Sequence, residues 1–204
     1  MNNKILKQAD EYFTKKVLEY GNTNKGVDWN SKESQELRFQ QLSKIIAEKN
    51  NRFSICDYGC GYGAYCDYVT NNGFDLDYTG IDISSQMIEN AKALYPDKKF
   101  LNCAEIDEEY DYIIASGIFN LKQSVPDSEW RQYIIDTINM FNEKSKKGFA
   151  FNCLTKYSDA ELMREDLYYS DPLFLFDYAK KHFSRNVALL HDYNLYEFTI
   201  LVRK

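Results

Sequence analysis

The chain has few histidines, few prolines and no paired cysteines, and each shortage removes a class of protein. Two histidines, His182 and His191, and five cysteines, at positions 56, 60, 66, 103 and 153, supply no C-x-x-C or other closely spaced ligand pair. A structural zinc site needs such pairs, so no metal is expected. An odd set of unpaired thiols fits a reducing compartment, and a cytoplasmic protein is expected. There is no basic block: lysines alternate with acids and the net charge is −6, which argues against nucleic acid as a partner. No apolar run is long enough to span a bilayer, and "MNNKILKQADEYF" reads as a charged amphipathic helix rather than a signal sequence, so no membrane partner is expected. With three prolines and no repeat, low-complexity tract or Pro/Gly/Ser linker, 204 residues make one domain with a sizeable core. Aromatics are what the chain does have, 17 Tyr and 13 Phe, suited to half-buried positions in a core or around a pocket.

The order of elements follows from periodicity. Residues 1–52 read as a helical cap. Ile5, Leu6, Ala9, Tyr12, Phe13 and Val17 share one helical face that Gly21 ends, and a second helix turns Leu37, Phe39, Leu42, Ile45 and Ile46 inward. From residue 53 strands and helices alternate. Strands are expected at "FSICD", "LDYTGIDI", "KFLNC", "YDYIIASG" and "GFAFNCLT", with helices between them, the one before "GFAFNCLT" capped by "PDSEW". The acidic run "AEIDEEYD" (104–111) reads as a solvated loop. A helix near 173–182 and two closely spaced strands, "NVALLHDY" and "LYEFTILVRK", end the chain as an antiparallel hairpin. The pattern predicts an α/β fold, a doubly wound sheet with one reversed strand.

Chemistry concentrates in "ICDYGCGYGAYCDYV" (55–69), where a strand runs through three alternating glycines into a helix. No Lys-Ser or Lys-Thr follows, which excludes a triphosphate loop. Gly59, Gly61 and Ala64 do satisfy the dinucleotide pattern, with Asp82 about 20 residues on, so a nicotinamide-dependent oxidoreductase is a competing reading. Gly63 makes the turn more open than a pyrophosphate clamp requires, and Asp57 would repel a pyrophosphate. The chain also leaves no second substrate domain.

"ICDYGCGYG", "YTGIDIS", "YDYIIASGIFN" and the terminal hairpin, in that order, resemble the class I S-adenosylmethionine-dependent methyltransferases over about residues 30–204. The resemblance implies a Rossmann-like seven-stranded sheet, mostly parallel, with the last strand inserted antiparallel between its neighbours. It implies S-adenosyl-L-methionine as cofactor and a core at 53–204. Gly59, Gly61 and Gly63 would let backbone approach the amino-acid end of the cofactor, and Asp57 would order that turn. Asp82 would accept from both ribose hydroxyls, its other reading being a helix-start carboxylate. Ile83 and Met87 would line the adenine slot. Cys103 accepts weakly, so the backbone of Ala104, or Glu105, would take the adenine amino group. Gln35 and Arg38 would hold the cofactor carboxylate, although a surface salt bridge is an equal reading for Arg38.

Ser116, Gly117, Phe119 and Asn120 would form the floor beneath the methyl group and its acceptor. An insert at about 155–172 would be a lid whose Tyr157, Tyr168 and Tyr169 either wall off the acceptor or pack the insert to the body. His191 is either a buried base for an alcohol acceptor or a core histidine. The Asn/Asp-Pro-Pro-aromatic motif of the relatives that methylate base amines is absent, again disfavouring nucleic acid. Looser similarity in "GVDW…RF", "SGIFN" and "LLHDYNLYEFTI" to small methyltransferases of surface-polysaccharide gene clusters points to a small-molecule acceptor, a hydroxyl of a sugar or polysaccharide precursor. A non-catalytic cofactor-binding relative stays as a third reading. Oligomeric state and the acceptor atom are open.

Overall fold

A computed structural model describes residues 3–47 and 51–204. In chain order the elements are α1 (Asn3–Tyr20), α2 (Lys32–Ser43), β1 (Phe53–Tyr58), α3 (Ala64–Asn71), β2 (Leu76–Asp82), α4 (Ser85–Leu94) and β3 (Lys99–Asn102). There follow β4 (Tyr110–Ala115), α5 (Asp127–Lys144), β5 (Ser145–Leu154), α6 (Pro172–His182), β6 (Asn186–Leu190) and β7 (Glu197–Arg203). The cap boundary expected at 52 falls beside residues 48–50, which lie outside the described residues.

Seven strands form one sheet in the order β3-β2-β1-β4-β5-β7-β6. Strands β1 to β5 pair in parallel, and β7 runs antiparallel to both β5 and β6. This is the Rossmann-like doubly wound α/β sheet the sequence predicts. Strands β1 and β4 are buried along most of their length, as their near-continuous apolar runs require of central parallel strands. One face is covered by residues of α2, α3 and α4, with Phe39, Leu42, Tyr65, Val69, Ile88 and Ala91 in one buried cluster. On the other face Trp130, Ile134, Ile138 and Phe141 of α5 meet Phe149 and Phe151 of β5, with Leu175 and Ala179 of α6.

Chain direction across the sheet reverses between β1 and β4. At such a switch point the helices diverge and leave a crevice beyond the carboxyl ends of the strands. Helix α2, started by Ser31 Oγ accepting from Ser34 N at 3.1 Å, reaches across to β5 and β7. Helix α1 lies against α4, tied by a 2.6 Å bond between Thr14 Oγ1 and Ser84 Oγ.

Two local expectations change. The strand expected at 186–193 stops at Leu190, because Asn194 takes a left-handed turn conformation (φ 52°) and the chain must fold back into β7. The start of α5 has no side-chain cap: Pro126 holds that position, and Asp127 and Glu129 in the first turn complement the helix dipole instead.

Candidate functional site

The strand–turn–helix at 53–71 and the end of β2 are built as one unit. Gly59 N and Cys60 N both donate to Ile81 O, at 2.7 and 3.0 Å, which binds the glycine turn to the neighbouring strand. Gly59 has φ +78°, and a Cβ there would come within 2.3 Å of Ile118 Cγ2. Glycine is therefore demanded by both backbone angle and space. Gly61 N donates to Asp82 Oδ2 at 2.8 Å, and Ser84 N donates to Asp82 Oδ1 at 2.8 Å. Each carboxylate oxygen takes one backbone N–H and keeps a lone pair for another partner. Burial raises the Asp82 carboxyl above its ordinary range, while those backbone donors pull it down.

Asp57, near the end of β1, is fully buried and accepts from Tyr78 Oη at 2.6 Å. Desolvation pushes its carboxyl up to about 7 despite that bond. Among the described residues, Asp57 makes no direct side-chain hydrogen bond to the turn. The Ile81 carbonyl and the Asp82 carboxylate supply the bonds that order it.

Above these groups lies a cavity of about 400 Å³, within the range of small-molecule sites. Asp57, Gly59, Gly61, Asp82, Ile83 and Met87 line it. Gln35, Arg38, Ser116, Gly117, Asn120 and Tyr169 also reach its wall. These residues come from five separate stretches of chain, brought together at one end of the sheet.

Six expected residues do not line it. Gly63 packs under the ring of Tyr95, where a Cβ would meet Cε2 at 2.9 Å, so its role is helix seating. Ala104 and Glu105 lie off the wall, and Cys103 stands there in their place. Phe119 is fully buried in the α5 core and its carbonyl accepts from Trp130 Nε1 at 2.9 Å. Tyr168 faces a second, shallow groove with Arg131 and Phe174. His191 is exposed in the β6–β7 turn, so it is neither the buried base nor a core histidine. Tyr157 is also exposed, at 58%.

Arg38 does form an ion pair, but not at the surface. It forks onto Glu197 at 2.6–2.9 Å with both side chains buried. Sequence reasoning missed Glu197, although a lone acid in the apolar run "FTILV" is the signal of a buried pair. It also missed the contribution of α1: Leu6, Ala9 and Phe13 line the cavity rather than only the core. Trp29 stacks its ring over Arg38 at 3.9 Å.

A family model described as a methyltransferase domain matches residues 29–184, more than half the chain and most of this site. The chain belongs to this methyltransferase family. A Mycobacterium tuberculosis methyltransferase, Rv1506c, is 55% identical over 162 residues, covering 78% of this chain and 98% of its own. The malonyl-[acyl-carrier protein] O-methyltransferase of Acetivibrio thermocellus is 26% identical over 158 residues, 72% of this chain and 53% of the relative. Among solved structures, the magnesium protoporphyrin IX methyltransferase of Synechocystis PCC 6803 with bound S-adenosylmethionine shares the fold, with a TM-score of 0.66 and 16% identity. That match covers 97% of this chain and 96% of that one.

The magnesium protoporphyrin IX methyltransferase holds S-adenosylmethionine, and the site observed here fits that methyl donor. Gly59 and Gly61 leave bare backbone on the cavity wall, a braced carboxylate keeps two lone pairs for a vicinal diol, and Arg38 and Ser116 carry buried polar atoms without partners among the described residues. No group of three or more potential metal ligands is found among the described residues, and no described helix is long and apolar enough to cross a membrane.

Proposed function

We propose that this methyltransferase acts on a hydroxyl of a small polar molecule, a sugar or polysaccharide precursor, giving an O-methyl product. The observation that carries this reading is the mixed lining of the cavity. Asn120, Ser158, Arg164, Tyr169 and Tyr196 line it together with Leu121, Leu154 and Leu167. Apolar surface with a few placed polar groups selects a small polar ligand and excludes water. The polar groups are held: Asn120 Oδ1 accepts from Leu154 N at 3.0 Å, which leaves its amide hydrogens for a ligand. Tyr169 Oη accepts from Arg164 N at 3.0 Å and keeps its own proton to donate. The segment that carries them is pinned at its base, where Ser170 N donates to Leu154 O at 2.8 Å and Lys156 N to Ser170 O at 3.0 Å.

When bound, S-adenosylmethionine supplies a methyl group that is already electrophilic. The chain's own work is binding, alignment and removal of a proton. Asp82 would grip the ribose, Ile83 and Met87 the base, and Gly59, Gly61, Gln35, Arg38 and Ser116 the amino-acid end. Gly117, Asn120 and Tyr169 would align the acceptor, the largest contribution to rate in such a transfer. A hydroxyl must also lose its proton. Tyr196, on the wall, donates to Asp159, so an acceptor hydroxyl bound to Tyr196 gains a two-bond path to a carboxylate.

Incubation with S-adenosylmethionine and a panel of free and nucleotide-linked sugars, read by mass spectrometry, tests the reading. A singly methylated sugar whose methyl resists mild alkali supports it. An alkali-labile methyl ester, or methyl on nitrogen, as the preferred product overturns it.

A further inference from the structure

Glu197 opens β7 at 1% exposure. Its carboxylate accepts from Arg38 Nε at 2.9 Å on each oxygen and from Arg38 Nη2 at 2.6 Å. Oε2 accepts further from Asn152 Nδ2, and Asn152 Oδ1 accepts from Gly117 N at 2.8 Å. One carboxylate therefore joins α2, β5, β7 and the segment after β4. Trp29 closes the circuit. Its ring covers the Arg38 guanidinium, and it packs so closely on Gly117 that a Cβ there would come within 2.4 Å of Cζ2.

The circuit leaves one donor over. Arg38 is 7% exposed, and its Nη1 is buried with no partner among the described residues. Ser116 Oγ, next to Gly117, is buried and unpartnered too. Both residues stand on the cavity wall. A buried guanidinium N–H without an acceptor is unfavourable, so the corner is complete only when a ligand brings one. Glu197 already balances the charge of Arg38, so the corner offers a directed hydrogen bond rather than net positive charge. A carboxylate oxygen matches the free edge of a guanidinium whose other edge is fixed.

We propose that Glu197, acting through Arg38 and Asn152, is a positioning residue that builds a carboxylate-receiving corner for the amino-acid end of the cofactor and, by the same bonds, fixes Gly117 at the acceptor floor. The inference rests on the cofactor reading of the site. It gives the acid missed in β7 a purpose that lies outside the glycine turn and Asp82.

Calorimetric titration with two ligands tests it: S-adenosylhomocysteine, and 5′-methylthioadenosine, which lacks the amino-acid end. Glu197→Gln should weaken S-adenosylhomocysteine by about 10-fold or more and methylthioadenosine by less than about 2-fold. The acceptor KM should rise in the same variant, because Gly117 loses its brace. Equal loss of both ligands, or unchanged affinity for S-adenosylhomocysteine, overturns the proposal. Should that variant fail to fold, Arg38→Met with Glu197→Leu removes both charges and keeps an apolar pair of similar bulk. The double variant should keep its Tm and show the same selective loss; full retention of S-adenosylhomocysteine affinity in it overturns the proposal. A wild-type protein that binds neither ligand overturns the cofactor reading itself, and this inference with it.

Discussion

Two carboxylates at the site, Asp57 buried and Asp82 half-buried, do opposite things, and the difference lies in their donors. Asp82 has two backbone N–H donors at 2.8 Å and opens on the cavity. Replacing it with Ala removes a carboxylate placed to grip two hydroxyls at once, so calorimetric affinity for S-adenosylhomocysteine should fall by about 100-fold, two charge-assisted bonds. Asp57 has a single phenolic donor, and burial holds its carboxyl at about 7 against an ordinary 3.8. Between those values the native carboxyl keeps a proton that the unfolded one has lost. Stability therefore falls as pH rises from about 4 to about 7, and the full penalty, on the order of 4 kcal/mol, stands above that window. Asp57→Asn keeps an acceptor for Tyr78 without the charge. Its Tm should exceed wild type at pH 8, and its Tm against pH should be flatter from 4 to 7; an unchanged slope would show that Asp57 is solvated. Glu197 carries a sign of burial in its apolar flank, but the sequence does not say which cation pairs with it.

At the scale of elements, the strand that ends one residue before His191 decides the fate of that imidazole. β6 is an edge strand with no fully buried residue, and the turn through the left-handed Asn194 leaves the imidazole in solvent. Phe119 moves the other way, into the α5 core, because the segment after β4 turns at Gly117 (φ +78°) before it reaches the ring. Helix α1 is the element whose role is least legible from periodicity. Its apolar face buries Ile5 and Val17 as core, yet Leu6, Ala9 and Phe13 meet a cavity, and two polar bonds also tie it down, Thr14 to Ser84 and Gln123 Nε2 to Gln8 O at 3.0 Å. A terminal element that covers a cavity opens at lower free energy than the central strands of a sheet. Removal of residues 1–20 should leave the sheet folded by circular dichroism and speed S-adenosylhomocysteine dissociation by about 10-fold or more in stopped flow, as expected when a covering element is lost. Global unfolding on truncation would make α1 indispensable to the core.

At the scale of the whole molecule, ligand linkage separates the two cofactor classes. S-adenosylhomocysteine at about 100 times its Kd should stabilise the native state by about 2.7 kcal/mol, several degrees of Tm, while NAD should leave Tm unchanged. A shift with NAD alone would restore the dinucleotide reading. The sequence by itself determined the sheet, its reversed last strand, the glycine turn and the acid at 82, because those depend on short-range periodicity and on backbone needs that only particular residues meet. It could not rank Gly63 against Gly61, or Tyr168 against Tyr169, since neighbouring residues point to opposite sides and only the packed fold assigns the sides. Nor could it join Arg38 to Glu197 across 159 positions. A buried pair exists only where α2 and β7 meet, so tertiary structure alone turned two unremarkable charges into one wall of the site.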